Sequence, residues 1–150
     1  MGAISKISNQ PPTMPFDQQM ELAKAFAESG LFGVQNKEQA LALMALCEGE
    51  GLHPAIAVRD YHIIKGKPAL SADAMLSRFQ QAGGKVEWLE LSDYKAVAKF
   101  SHPSGASLTV DWDMERAKRA GFAGKDNWRK FPRSMLRSRG ISEGIRAIYP

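Results

Sequence analysis

The sequence predicts an α+β fold: a small antiparallel sheet, made of a hairpin and a three-stranded meander, packed with helices and followed by a long basic C-terminal helix. Three observations carry this. Apolar residues recur at helical spacing over residues 17–50 and again over 132–148. Residues 86–112 hold three β-forming runs separated by turn residues. Ile141, Ile145 and Ile148 recur at spacings of four and three, which places them on one stripe of the last helix.

The elements follow in order. Residues 1–16 carry Pro11, Pro12 and Pro15 among polar residues and read as a flexible arm ahead of one core domain over 17–150. A helix is expected over about 17–29, with Met20, Leu22, Ala23 and Phe26 as its apolar set. A second is expected over about 37–50, capped by Asn36, with Ala40, Leu41, Met44 and Cys47 inward and Gly49 and Gly51 marking its end. Val58, Tyr61, Ile63 and Ile64 are β-formers, and Lys65-Gly66-Lys67 is a tight turn. Residues 57–70 therefore read as a hairpin ending at Pro68.

Ser71 caps a third helix that runs to about residue 82, where Gly83-Gly84 stops it. In 86–91, Val86 and Trp88 alternate, and Leu89 and Leu91 do so less cleanly. In 94–100, Tyr94, Ala96, Ala98 and Phe100 share one face against Lys95, Val97 and Lys99. His102-Pro103-Ser104-Gly105 turns into a strand over 107–112. A helix over 113–120, a Gly-rich loop and a helix from Pro132 to Ile148 complete the chain; proline suits a first helical turn, where its missing N–H would be unbonded anyway.

On that last helix Tyr149 extends the isoleucine stripe. Arg133 and Arg137 lie on one flank, and Arg139 and Arg146 on the other. Gly140 and Gly144 each cost about 1 kcal/mol of helix stability relative to alanine. Close approach of another backbone or of a phosphate strand would compensate; a bent, loosely packed helix is the other reading.

Charge is polarised. From Arg116 to Arg146 there are ten Lys or Arg and two acids, Asp126 and Glu143, a net +8 within an overall +4. The rest of the chain is net −4. A segment of this kind meets a polyanion, and interleaved aromatics (Trp112, Phe122, Trp128, Phe131, Tyr149) suit the bases of a nucleic acid. A solvated basic face with core aromatics is the plainer alternative. Trp88 and Trp112 fit a core; Trp128, amid charges, is the stacking candidate or else an anchor for the long helix.

Several classes are disfavoured. No apolar run approaches the roughly 20 residues of a membrane span. The N-terminus lacks a signal peptide's apolar stretch, and Lys6 stands where N-myristoylation wants a hydroxyl, so a cytoplasmic protein is expected. The single cysteine, Cys47, allows no internal disulfide and fits the core. The glycines near Lys65, Lys67 and Lys85 lack the spacing of an ATP-binding phosphate loop. His53, His62, His102 and Cys47 show no paired zinc-ligand spacing. Glu48/Glu50 and Asp111/Asp113 would suit a Mg²⁺ nuclease, but the first pair closes a helix and Asp113 reads as an N-cap. No hydrolase elbow or triad is evident, so a non-catalytic protein is expected.

The run Asp126-Asn127-Trp128-Arg129-Lys130-Phe131-Pro132-Arg133-Ser134-Met135-Leu136-Arg137, continuing to Arg146, resembles the RecT/Redβ family of phage single-strand annealing proteins. Trp128, Pro132, Met135, Leu136, Arg137 and Arg146 sit at the places of its C-terminal motif. Residues 40–54, ending in Gly51-Leu52-His53-Pro54, are similar to the family's helix and turn. His62-Ile63-Ile64 with the basic turn, and residues 94–112, are similar to its hairpin and central strands. The resemblance covers roughly residues 37–150. It implies single-stranded DNA binding and ATP-independent annealing of complementary strands in phage recombination, with annealed duplex held more tightly. It also implies assembly into rings or helical filaments beside a phage exonuclease, in the cytoplasm of a bacterial host. Such proteins continue past the position of Pro150 into further helices and a tail that contacts the host single-strand binding protein; the resemblance leaves open whether this chain is C-terminally truncated, and with it the filament contacts and that host partner.

The expected DNA-binding residues are Lys65, Lys67, Lys125, Trp128, Arg129, Lys130, Arg133, Arg137, Arg139 and Arg146. Arginines offer bidentate phosphate contacts, and an aromatic face stacks on any base. No cofactor is required for annealing, with Mg²⁺ at most a modulator; neither a metal site nor a membrane partner is expected. Two rival readings are a sequence-specific duplex regulator whose last helix reads a major groove, and the Mg²⁺ nuclease.

Overall fold

The computed structural model describes residues 14–150. The fold is α+β, with a two-stranded and a three-stranded antiparallel sheet. It divides after Leu70 into two compact units.

The first unit begins with α1 (Phe16–Ser29) and α2 (Lys37–Gly49). The expectation of an arm falls largely on residues 1–13, outside the described residues. Phe16 belongs to α1, because Pro15 starts the helix by accepting from the Gln19 N–H at 3.0 Å. Gly30 ends α1 in the left-handed region, and the Asn36 side chain caps α2 by accepting from the Gln39 N–H at 2.8 Å. Ala23, Val34, Ala40, Leu43, Met44 and Cys47 form the buried core with Ala57 and Val58. Gln19 is buried among them. Its amide donates to the Met14 carbonyl at 2.7 Å and to Glu48 at 3.2 Å, which satisfies the polar group that burial would otherwise penalise.

Residues 57–60 differ from expectation. A 3-10 turn, Pro54–Ile56, leads into α3 (Ala57–Asp60), so Val58 enters the core from a helical turn and not from a strand. The His53 ring caps that turn by accepting from the Ala55 N–H at 3.0 Å, and Pro54 supplies a first-turn φ. The hairpin is shorter and shifted: β1 (Tyr61–Ile64) pairs with β2 (Lys67–Leu70). It does not end at Pro68, which faces Ile63 one step from the closing pair, where the ladder asks for no N–H. Lys65 (φ 52°) and Gly66 (φ 75°) both have positive φ, as the favoured two-residue turn requires.

The second unit opens with α4 (Ala72–Gln81), capped by the Ser71 hydroxyl, which accepts from the Ala74 N–H at 3.2 Å. The meander of β3 (Lys85–Leu91), β4 (Lys95–Ser101) and β5 (Ser107–Asp113) follows, with β4 central. Then come α5 (Met114–Arg119), α6 (Asp126–Lys130) and α7 (Pro132–Ile148). Helix α7 packs on β4 and β5 and beside α4. Ala96, Ala98 and Phe100 on β4, with Val110 and Trp112 on β5, form the buried face of the sheet. Lys99 and Thr109 lie opposite one another on the other face, the in–out alternation of a sheet covered on one side.

The uneven alternation expected in β3 has its cause in a register shift between Trp88 and Glu90, which leaves Leu89 as the unpaired residue of a bulge. Two further expectations are corrected here. Tyr94 is not an inward strand residue. The Ser92 hydroxyl accepts from the N–H groups of Tyr94 and Lys95, so the turn extends through Tyr94 and the ladder starts at Lys95. The stretch before Pro132 is not all loop: α6 fills it, closed by the Phe131 N–H bonding to the Asn127 carbonyl at 2.8 Å.

The glycines of α7 serve packing. A Cβ on Gly144 would overlap the Phe100 ring, and one on Gly84 would overlap the Phe79 ring. Phe79 and Phe100 meet edge to face at 6.2 Å between centroids, so two glycines bracket a pair of core rings. Gly140 is buried, with Trp88 at van der Waals distance from where its Cβ would lie. The helix runs unbroken, and ring burial offsets its two glycines. Among the described residues no helix is long and apolar enough to cross a membrane, and no three His, Cys, Asp or Glu gather as metal ligands.

Candidate nucleic-acid interface

The basic segment separates into cations held by the fold and cations left in solvent. The held set centres on Glu143 of α7. Its carboxylate accepts two hydrogen bonds from the Arg116 guanidinium, at 2.7 and 2.9 Å, and one from Trp112 Nε1 at 2.7 Å. Arg116 also donates to the Asp111 carbonyl at 2.7 Å and lies 4.0 Å over the Trp112 ring. Asp113 places Arg116 by capping α5, accepting from the Arg116 N–H at 2.7 Å. One of the segment's two acids is thus the anchor between β5, α5 and α7. The Arg116 hydrogen bond holds the Glu143 carboxyl below the ordinary glutamate range, and burial opposes this. The same bond raises Arg116.

An aromatic stack continues from there. Arg139 lies 4.0 Å over Phe122, and Lys125 lies 5.2 Å from that ring. Phe122 stacks on Trp128, with centroids 5.6 Å apart and planes 13° from parallel. Burial, with the neighbouring charge of Arg146, pushes the Arg139 guanidinium below its ordinary value. Trp128 is only 6% exposed. Its face is covered by Phe122, so it anchors α6 and is not open to a base; this corrects its expected stacking role. Arg139 is likewise engaged with rings and only partly accessible.

The remaining expected residues are exposed, except Arg137, which is half-buried. Arg129 and Lys130 are exposed and share Asp126 at 3.8 and 3.1 Å, spacings at which solvent-facing pairs are weak. Arg133 is exposed, with Asp93 at 3.7 Å. Arg137 reaches Asp73 of α4 at 2.9 Å, and Asp73 itself is largely in solvent. Arg146 and Lys125 are exposed. Lys118 and Arg119 of α5, not among the expected residues, are also exposed and form no ion pair among the described residues. They stand in the same run of cations, on the helix expected over 113–120, so their charge and their element were both legible in the sequence. Lys65 and Lys67 belong to the first unit, where they occupy the exposed tip of the β1–β2 turn.

Chemically, this arrangement can neutralise several phosphates. Seven exposed cations lie between Lys118 and Arg146, and the only exposed acid among them is Asp126. Of Asp111 and Asp113, one of the two carboxylate pairs weighed for a nuclease, Asp113 spends its carboxylate on the α5 cap. No protein-family model, curated protein or solved structure matches the chain.

Proposed function

We propose that the second unit binds single-stranded DNA along its exposed cations and that the protein anneals complementary strands without a nucleotide. The observation that carries this reading is the exposed, acid-poor set of Lys118, Arg119, Lys125, Arg129, Lys130, Arg133 and Arg146, whose ion pairs are solvent-facing, while Arg116 and Arg139 are held in the fold. Annealing makes and breaks no covalent bond. It needs surfaces that lower the repulsion between two phosphate backbones while the bases remain free to pair. Exposed Lys and Arg supply this without fixing a sequence. The likeness of residues 126–146 to the RecT/Redβ motif supports the same reading, and with it self-assembly on the strand and work beside a phage exonuclease. A small domain covers on the order of 4–16 nucleotides, so longer strands call for several copies side by side.

A major-groove reading head fits less well. The middle of α7 is committed to the sheet: Leu136, Gly140, Ile141, Gly144 and Ile145 are buried. A recognition helix presents an open face to base edges.

The test mixes complementary labelled oligonucleotides with the protein, without ATP, and follows pairing by energy transfer. Acceleration over the spontaneous rate, independent of sequence and weakened by salt, is expected. Binding to one duplex sequence in preference to single strands would replace this reading with the regulator. Cleavage on adding Mg²⁺ would replace it with the nuclease.

A further inference from the structure

Two aromatic rings stand in solvent beside the cations of α7, and neither is needed by the core. Phe131, between α6 and α7, is 59% exposed. Tyr94, in the β3–β4 turn, is 77% exposed. They are 37 residues apart in sequence. The fold connects them through Arg133: its Nε lies 3.7 Å from the carboxylate of Asp93, the residue before Tyr94, and Arg133 itself follows Phe131 by two positions. The turn is held in place on both sides, by Ser92 accepting from the Tyr94 N–H at 3.2 Å and by the Met114 N–H bonding to the Tyr94 carbonyl at 3.1 Å. Tyr94 is therefore exposed on a fixed backbone.

We propose that Phe131 and Tyr94 form a base-stacking site in which nucleobases of single-stranded DNA lie on the two rings while Arg133 and Lys130 take the adjoining phosphates. The inference rests on the single-strand binding proposed above. Exposing a phenylalanine on a monomer gains nothing in folding, whereas a nucleobase covers such a ring irrespective of sequence. Charge complementarity selects the occupant: an apolar protein partner would have to desolvate the neighbouring cations, and a polyanion with aromatic bases uses both features together. The Arg133–Asp93 contact does not block this. It is long and both groups are well exposed, so a phosphate can displace the carboxylate at small cost.

The experiment compares an ordinary oligonucleotide with an abasic strand of the same length, binding each to the wild type, Phe131→Leu and Tyr94→Leu at fixed salt. Leucine keeps an apolar side chain and removes the stacking face. Each variant is expected to lose at least fivefold in affinity for the ordinary strand, the low end of base–aromatic stacking at about 1 kcal/mol per base. Affinity for the abasic strand and the salt slope should stay at wild-type values. Circular dichroism and melting establish that the variants are folded, and Tyr94→Phe, which retains the ring, should bind like the wild type. Equal affinity of both leucine variants and the wild type for the ordinary strand overturns the stacking site while leaving single-strand binding intact. An equal loss on ordinary and abasic strands overturns it as well, because the effect would then not involve bases. A wild-type protein that binds neither strand overturns both this site and the function it rests on.

Discussion

The two flanks of α7 carry two arginines each and use them differently. On one, Arg139 lies over Phe122, Arg146 stays in solvent, and Glu143 between them ties α7 to Arg116 and Trp112. On the other, Arg133 and Arg137 reach only Asp93 and Asp73, carboxylates that remain mostly hydrated. The difference is one of exchangeability. An exposed ion pair is worth about 0–1 kcal/mol, so a phosphate can replace Asp73 or Asp93 with little loss. Replacing Glu143 would leave the buried Trp112 indole N–H without its acceptor, at a cost of about 1–3 kcal/mol, and would leave Arg116 with only the Asp111 carbonyl and solvent. Counting cations in a sequence therefore overstates a binding surface, because part of the count is structural.

The largest expected effect follows on the fixed flank. Glu143→Ala should destabilise the protein by about 1–2 kcal/mol, a discounted figure because the pair is partly open to solvent. At about 2–4 °C per kcal/mol, calorimetry would register a drop of several degrees. Single-strand affinity of the folded variant should hold. The effect also carries a pH signature. Glu143 titrates lower in the folded state than in the unfolded chain, so the unfolded chain binds more protons between the two values. The stabilisation should be complete above about pH 5 and diminish as pH falls below the ordinary glutamate value of about 4.3. Stability measured from pH 7 down to pH 3 should show Glu143→Ala converging on the wild type. A constant gap would mean that Glu143 acts by packing alone.

The open flank should respond in the opposite sense. Arg133→Ala and Arg137→Ala should each weaken single-strand binding by about 1–3 kcal/mol, the range for a charge-assisted contact, and change stability by less than about 1 kcal/mol. Gel shifts and thermal melts on the same preparations separate the two quantities. A lower melting temperature with unchanged affinity would move Arg137 to the structural set and erase the contrast between the flanks.

Which flank is which was not legible in the sequence, although much of the fold was. The isoleucine spacing, Pro132 and the caps Asn36, Ser71 and Asp113 placed the principal helices, because those signals act within a few residues. Local signals failed where tertiary contacts decided. Val58 suits a strand, yet the His53 cap and Pro54 start a helical turn that buries it. Tyr94 fits the period of β4, yet the Ser92 hydroxyl holds it in the turn. Trp128 sits among charges and still lies inside, because Phe122 arrives from the preceding loop to cover it. Which cations are fixed and which exchangeable follows from partners 27 to 64 residues away, Glu143 for Arg116 and Asp73 for Arg137, and periodicity within one element cannot report these.

A smaller effect would sharpen the open flank further. Asp73→Asn removes the charge competing for Arg137 and leaves the helix length and the guanidinium in place. If Arg137 serves phosphate, affinity should rise, by up to about fivefold for a pair worth no more than about 1 kcal/mol. Stability should barely move. Unchanged affinity alongside a loss in Arg137→Ala would indicate that the Asp73 pair persists in the complex and orients the guanidinium.

The smallest expected effect lies off α7 altogether, at Lys65 and Lys67 on the β1–β2 turn. Both are exposed, and no ion pair holds them among the described residues. By the logic of exchangeability they are free to meet phosphate, but a basic tip also serves solubility alone. The substitution must respect the backbone. Lys65 has φ 52°, so Asn, which tolerates the left-handed region, is the suitable replacement there, with Ser at Lys67. If both lysines contact the strand, the salt dependence of single-strand affinity should flatten by about 0.7 per lysine. The annealing rate should fall with it, while Arg133→Ala and Arg137→Ala in the same background should retain their separate losses, as additivity between independent sites requires. An unchanged slope would confine phosphate contact to the second unit and leave the turn a solubilising one.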